Sequence, residues 1–145
     1  MPTPGAAARL RILVVEDEPT NRLLLHAVLA RSTDDRVRTA QVVEAETLGS
    51  ARDLLRRGRW DILLLDVRLP DGNGLDLVAD VTTGPSGDGA DRPGIVVLSA
   101  SVLPEDRAAA LETGCDAFLG KPFRPDELLG LLSEMAADRR PAYPV

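Results

Sequence analysis

Residues 61–77 read Asp-Ile-Leu-Leu-Leu-Asp-Val-Arg-Leu-Pro-Asp-Gly-Asn-Gly-Leu-Asp-Leu, and the fold class is decided here. Ile62, Leu63, Leu64 and Leu65 are apolar in succession, without the alternation of a strand that shows one face to water. Such a run describes a strand buried on both faces, as in a parallel sheet. Residues 68–74 that follow are dense in turn chemistry. Leu75, Leu77, Val78 and Val81 then recur at helical spacing.

The same strand-then-helix pattern extends in both directions. Upstream, residues 10–15 read as a strand that stops at Glu16-Asp17-Glu18-Pro19. Pro19 opens a helix carrying Leu23, Leu24, Ala27 and Val28. Residues 32–38 are polar and read as a loop. Residues 40–45 read as a second strand. Leu48, Ala51, Leu54 and Leu55 mark a helix whose other face carries Arg52, Arg56 and Arg57, with Gly58 as its stop. Downstream, residues 84–94 read as a surface loop and residues 95–98 as a fourth strand. Pro104 opens a helix ended by Gly114, residues 116–120 form a short fifth strand, and Pro125 opens a last helix with Leu128, Leu131, Leu132 and Met135. Five strand–helix units predict an α/β fold with helices on both faces of a parallel sheet.

The 145 residues fit one domain, expected over 9–137, with flexible ends at 1–8 and 138–145. Aromatic residues are only 3%, so aliphatic side chains must build the core. The net charge of -6 speaks against a nucleic-acid-binding surface. One cysteine excludes an internal disulfide, and one cysteine with one histidine excludes a structural zinc site. The lone Cys115 fits a reducing compartment. No apolar run approaches the ~20 residues needed to span a bilayer. The start lacks a charged segment followed by an apolar one, so it is not read as a secretory signal; the expected compartment is the cytoplasm.

In open parallel sheets, ligands bind outside the carboxyl ends of the strands. The first strand delivers Glu16 and Asp17 there, the third Asp66, the fourth Ser99 and the fifth Lys121. The second delivers Glu44 and Glu46, to which the sequence assigns no role. Three carboxylates at one edge repel one another unless a cation lies between them. An all-oxygen set suits Mg2+. Such a site would hold a phosphoryl group, with Lys121 and Ser99 on its oxygens and one carboxylate free to attack phosphorus.

Four stretches carry a resemblance: ILVVEDEPTNR (12–22), DILLLDVRLPDGNGLDL (61–77), IVVLSAS (95–101) and FLGKPF (118–123). In order and spacing they resemble the receiver domain of two-component response regulators, over about residues 10–136. The wording is most similar to receivers of hybrid sensor kinases or single-domain response regulators. The resemblance implies a flavodoxin-like (βα)5 fold with strand order 2-1-3-4-5, an order general to that doubly wound class. It implies Asp66 as phosphoacceptor, with Glu16, Asp17, Asp66 and the backbone carbonyl of Arg68 around Mg2+. Ser99 corresponds to the hydroxyl that moves onto the phosphoryl group, Phe118 to the aromatic switch residue and Lys121 to the phosphoryl-pairing lysine. A cis Lys121–Pro122 bond is implied too. The donor would be a sensor histidine kinase or a histidine phosphotransfer protein. Output would run from residues 104–136 to a downstream protein partner or onward transfer, with no nucleic acid and no membrane involved. Since the sequence stops soon after the fifth helix, no output domain is expected. Glu16 stands where many members have Asp, Phe118 lacks a hydroxyl, and Asn73 stands where Asp is frequent.

Taken singly, each residue has a plainer reading. Asp66 can initiate a turn, Glu16-Asp17 can complement a helix dipole, Ser99 can cap a helix and Lys121 can be a solvated lysine. Two other functions stand beside the phosphoacceptor one, the first of which uses similar parts. A haloacid dehalogenase-type phosphatase would need a second Asp two residues after Asp66, where Arg68 stands. A constitutive, non-phosphorylated binding module would need none of these groups. His26 reads as an exposed helix residue and not a phosphodonor.

Overall fold

The computed structural model describes residues 9–83, 92–101 and 103–138. The expected flexible ends at 1–8 and 138–145, save Asp138, and most of the expected 84–94 loop lie outside the described residues.

Strands β1 (Arg11–Val15), β2 (Gln41–Ala45) and β3 (Ile62–Asp66) belong to one five-stranded sheet with β6 (Gly94–Ser99) and β7 (Ala117–Gly120). The spatial order is β2-β1-β3-β6-β7, all pairs parallel. This is the flavodoxin-like order 2-1-3-4-5 when the five sheet strands are counted along the chain. Between β3 and β6, residues 68–73 form a separate antiparallel pair, β4 (Arg68–Leu69) and β5 (Gly72–Asn73).

The side chains of β1, β3 and β6 alternate between two cores. Leu13, Val15, Leu63, Leu65, Ile95 and Val97 pack on one face beneath α3 (Leu48–Arg57), α4 (Gly74–Thr83) and α5 (Pro104–Glu112). Ile12, Val14, Ile62, Leu64, Val96 and Leu98 pack on the other beneath α1 (Pro19–Ala30), the short α2 (Asp35–Arg38) and α6 (Pro125–Asp138). This is why the interiors of the central strands are apolar without alternation: neither face meets water. Trp60 joins the first core, its indole N–H donating to the Leu54 carbonyl at 3.0 Å while Arg11 covers its ring.

Local readings are corrected or sharpened in four places. The polar stretch 32–38 is not all loop: Asp34 accepts from the Arg36 amide and caps the one-turn α2, whose Val37 is buried. Arg36 and the Ser133 hydroxyl on Asp34 hold its carboxyl far below the ordinary carboxylate range. The turn after Asp66 is a true hairpin, with Arg68 paired to Asn73 and Leu69 to Gly72. Gly72 sits at φ 149°, a conformation side chains disfavour, and a Cβ there would meet Leu48 at 2.9 Å. Helix α1 buries Leu25, Val28 and Leu29, whereas Leu23 is 71% and Leu24 50% exposed. Three successive leucines fit a helical period in more than one phase, so periodicity alone did not select the buried face. Helix α6 includes Asp138, one residue beyond the expected boundary, within the usual fraying of a helix end.

Candidate functional site

The five parallel strands terminate at the same edge, and the polar residues stand at or just past their last paired positions. Glu16 follows β1 and is held in line by its amide, which donates to the Ala45 carbonyl at 3.0 Å. Asp66 is the last residue of β3, beside Leu98 of β6. Ser99 ends β6 opposite Gly120, and the Lys121 amide donates to the Ser99 carbonyl at 2.7 Å. The Lys121–Pro122 bond is cis.

Among the described residues, Glu16, Asp17 and Asp66 bring one carboxylate oxygen each within 4.8 Å of one another. The Lys121 ammonium lies on two of these groups, 2.9 Å from Glu16 Oε1 and 2.8 Å from Asp66 Oδ2. Glu16 is 1% exposed. Burial raises its carboxyl above the ordinary value, against the downward pull of Lys121 and the Glu18 amide, while the Asp66 charge adds to the rise. Burial disfavours the Lys121 charge as well, but its bonds to Asp66 and Glu16 outweigh that and raise it above the ordinary lysine value. The other Asp66 oxygen accepts from the Arg68 amide at 3.1 Å, which orients the carboxylate. The donor set, three clustered carboxylates of which two already share one cation, fits a small hard divalent ion.

Ser99 is buried, and its hydroxyl oxygen accepts from the Ser101 amide at 3.1 Å. A cavity of about 500 Å³ opens beside it, lined by Arg68, Asn73, Ser101, Asp106 and Phe118 among others. Phe118 is already inside the core, with the Arg107 guanidinium 5.8 Å over its ring. The hairpin that walls this cavity is tied to α3 by Asp71, which accepts from the Leu48 and Gly49 amides at 2.8 and 3.0 Å.

Residues 12–133 match the family described as the response regulator receiver domain. The chain belongs to that family. A sensor histidine kinase of Pseudomonas aeruginosa, AruS, is 36% identical over 92% of this receiver and 13% of its own length. The phosphate regulon transcriptional regulatory protein PhoB of Escherichia coli K12 is 39% identical over 82% of this chain and 48% of its own. The receiver thus spans half or less of these curated relatives. Among solved structures, the receiver domain of sensor histidine kinase PA1611 from Pseudomonas aeruginosa PAO1 has a TM-score of 0.74 at 30% identity, covering 90% of this chain and 99% of that one. That structure holds a magnesium ion in its active-site cleft. Receiver domains are signalling phosphoacceptors of two-component systems. Among the described residues no helix is long and apolar enough to cross a membrane.

The tertiary structure therefore gathers Glu16, Asp17, Asp66 and Lys121 directly, sets Ser99 at the adjoining strand end, and places Arg68 on β4, exposed and one residue past Val67. Sequence reasoning missed Arg22 and left Glu44 and Glu46 without a role. In the structure Arg22 pairs with both glutamates, and Glu44 also binds the half-exposed His26 at 2.7 Å. An arginine one turn into a helix that follows an acidic pair was the one cue in the sequence, but its partners are loop carbonyls and glutamates at the end of β2, which the sequence does not reveal.

Proposed function

We propose that this receiver accepts a phosphoryl group on Asp66 from a phosphohistidine of a sensor histidine kinase or histidine phosphotransfer protein. An Asp66 carboxylate oxygen forms the new bond to phosphorus while the phosphorus–nitrogen bond of the donor breaks. The leaving imidazole keeps the electron pair and takes up a proton. Glu16, Asp17, Asp66 and the Arg68 carbonyl would hold Mg2+, whose charge offsets that of the incoming phosphoryl oxygens. Lys121 leaves the Glu16–Asp66 pair to neutralise a phosphoryl oxygen, and the Ser99 hydroxyl donates to another. The observation that carries this reading is the Lys121 ammonium bridging Glu16 and Asp66, with Asp17 beside them: a cation-holding pocket around one nucleophilic carboxylate.

The added charge of about −1.5 to −2 then biases the surface of residues 104–136 between two populations. Output runs to a downstream protein partner or onward transfer, in the cytoplasm, without nucleic acid. The protein is a phosphoacceptor that catalyses only its own phosphorylation and dephosphorylation, and residues 9–137 form the working unit. The test is labelling by acetyl phosphate with Mg2+, read by intact-mass spectrometry. The parent chain gains one phosphoryl group, and Asp66→Asn gains none. Equal labelling of Asp66→Asn would reject the assignment.

A further inference from the structure

The acidic pair Glu16-Asp17 sits where β1 runs out: the Glu16 amide still donates to the Ala45 carbonyl, and Asp17 lies beyond it on the loop to α1. A loop carrying carboxylates that repel one another needs something to hold its aim. Arg22, one turn into α1, does so. Its Nη1 donates to the Glu16 carbonyl at 2.9 Å and to the Asp17 carbonyl at 3.0 Å. The same guanidinium reaches across to the end of β2, with Nη2 3.1 Å from Glu46 Oε1 and Nε 3.7 Å from Glu44 Oε1. Its side chain is only 14% exposed. The planar fork thus spans two backbone carbonyls on one side and two carboxylates on the other, a geometry that lysine's point charge does not reproduce.

We infer that Arg22 is a positioning residue, clamping the β1–α1 loop to the end of β2 so that the Glu16 and Asp17 carboxylates face Asp66 before any cation arrives. The inference rests on the metal-dependent phosphoacceptor reading above. It also gives Glu44 and Glu46 their role: they hold and neutralise the clamp. Outer partners that orient ligating groups typically control metal affinity by 10–100-fold.

The sign of the effect separates a clamp from a plain charge. Removing a cation near an acidic pocket should by Coulomb's law alone tighten Mg2+ binding. Removing a clamp should weaken it. The measurement is the Mg2+ dissociation constant by calorimetry on the full chain, well below each variant's melting point. For Arg22→Gln we expect the constant to rise by about tenfold. The maximal acetyl phosphate labelling rate at saturating Mg2+ should stay within about twofold of the parent, since the nucleophile is untouched. Arg22→Lys, which keeps the charge without the fork, should show the same direction and serves if the glutamine variant does not fold. Unchanged or tighter Mg2+ binding in the folded variant overturns the inference, as does full recovery with lysine. A parent chain without measurable Mg2+ affinity would overturn the metal reading itself, and this inference with it.

Discussion

Lys121 carries one positive charge between two carboxylates, one of them on the buried Glu16. Without it, Glu16 and Asp66 would face each other in a poorly solvated pocket. Lys121→Ala should therefore lower stability in the absence of metal by about 2 kcal/mol, the usual cost of a buried polar group left unpaired. It should not weaken Mg2+ binding, because the ammonium occupies oxygens that Mg2+ would use. Denaturant unfolding with and without Mg2+ checks both halves; a variant that loses Mg2+ affinity would contradict the place given to Lys121. At this scale the placement of Asp66, Asp17, Glu16, Ser99 and Lys121 at the strand ends was legible, because a polar residue at the end of an apolar strand needs a reason. Arg22 was not, since its meaning depends on carbonyls, and carbonyls have no letter in a sequence.

Among the elements, the strands were the plainest. Unbroken apolar runs such as residues 62–65 leave little choice, and the observed strands match the expected ones to within a residue or two. The helices were legible as helices but not always in phase, as Leu23 and Leu24 of α1 demonstrate. The hairpin after Asp66 was legible as a turn, yet its pairing and its attachment to α3 through Asp71 were not, because the capped amides come from a helix some twenty residues earlier. Gly74 is the tightest point of this region. Its amide donates to the Val67 carbonyl at 2.6 Å, and a Cβ would stand 2.2 Å from the Asp66 carbonyl oxygen and 2.5 Å from Leu65 Cδ1. Neither neighbour can yield, since one is backbone and the other belongs to the core. Gly74→Ala should cost about 1–3 kcal/mol, as overpacking does. It should also slow acetyl phosphate labelling by shifting Asp66. A melting curve that overlays the parent's would refute this placement.

Across the whole molecule, the sheet order does the gathering. Placing β1 beside β3, and β6 between β3 and β7, brings residues 16, 66, 99 and 121 to one edge. The carboxylates so gathered repel; Lys121 offsets part of that repulsion, and a divalent cation would offset the rest. Mg2+ at a hundred times its dissociation constant should stabilise the fold by about 2.7 kcal/mol. For a chain of this size that is a melting-point rise of about 8 °C. Thermal scans at constant ionic strength read the rise, and Asp17→Asn should reduce it most of the way. A rise that is the same in parent and Asp17→Asn would place the ion elsewhere.

By itself, the sequence determined the alternation of strands and helices, the doubly buried centre of the sheet and the residue types that stand at strand ends. These are properties of neighbours along the chain: burial on two faces demands an unbroken apolar run, and its end is marked by the first residue that needs water or a partner. Only the tertiary structure decided which face of α1 turns inward, that Asp71 caps a distant helix, and that Arg22 joins two strand ends. Those depend on contacts between segments far apart in the chain, where distance and direction, not composition, select the partner.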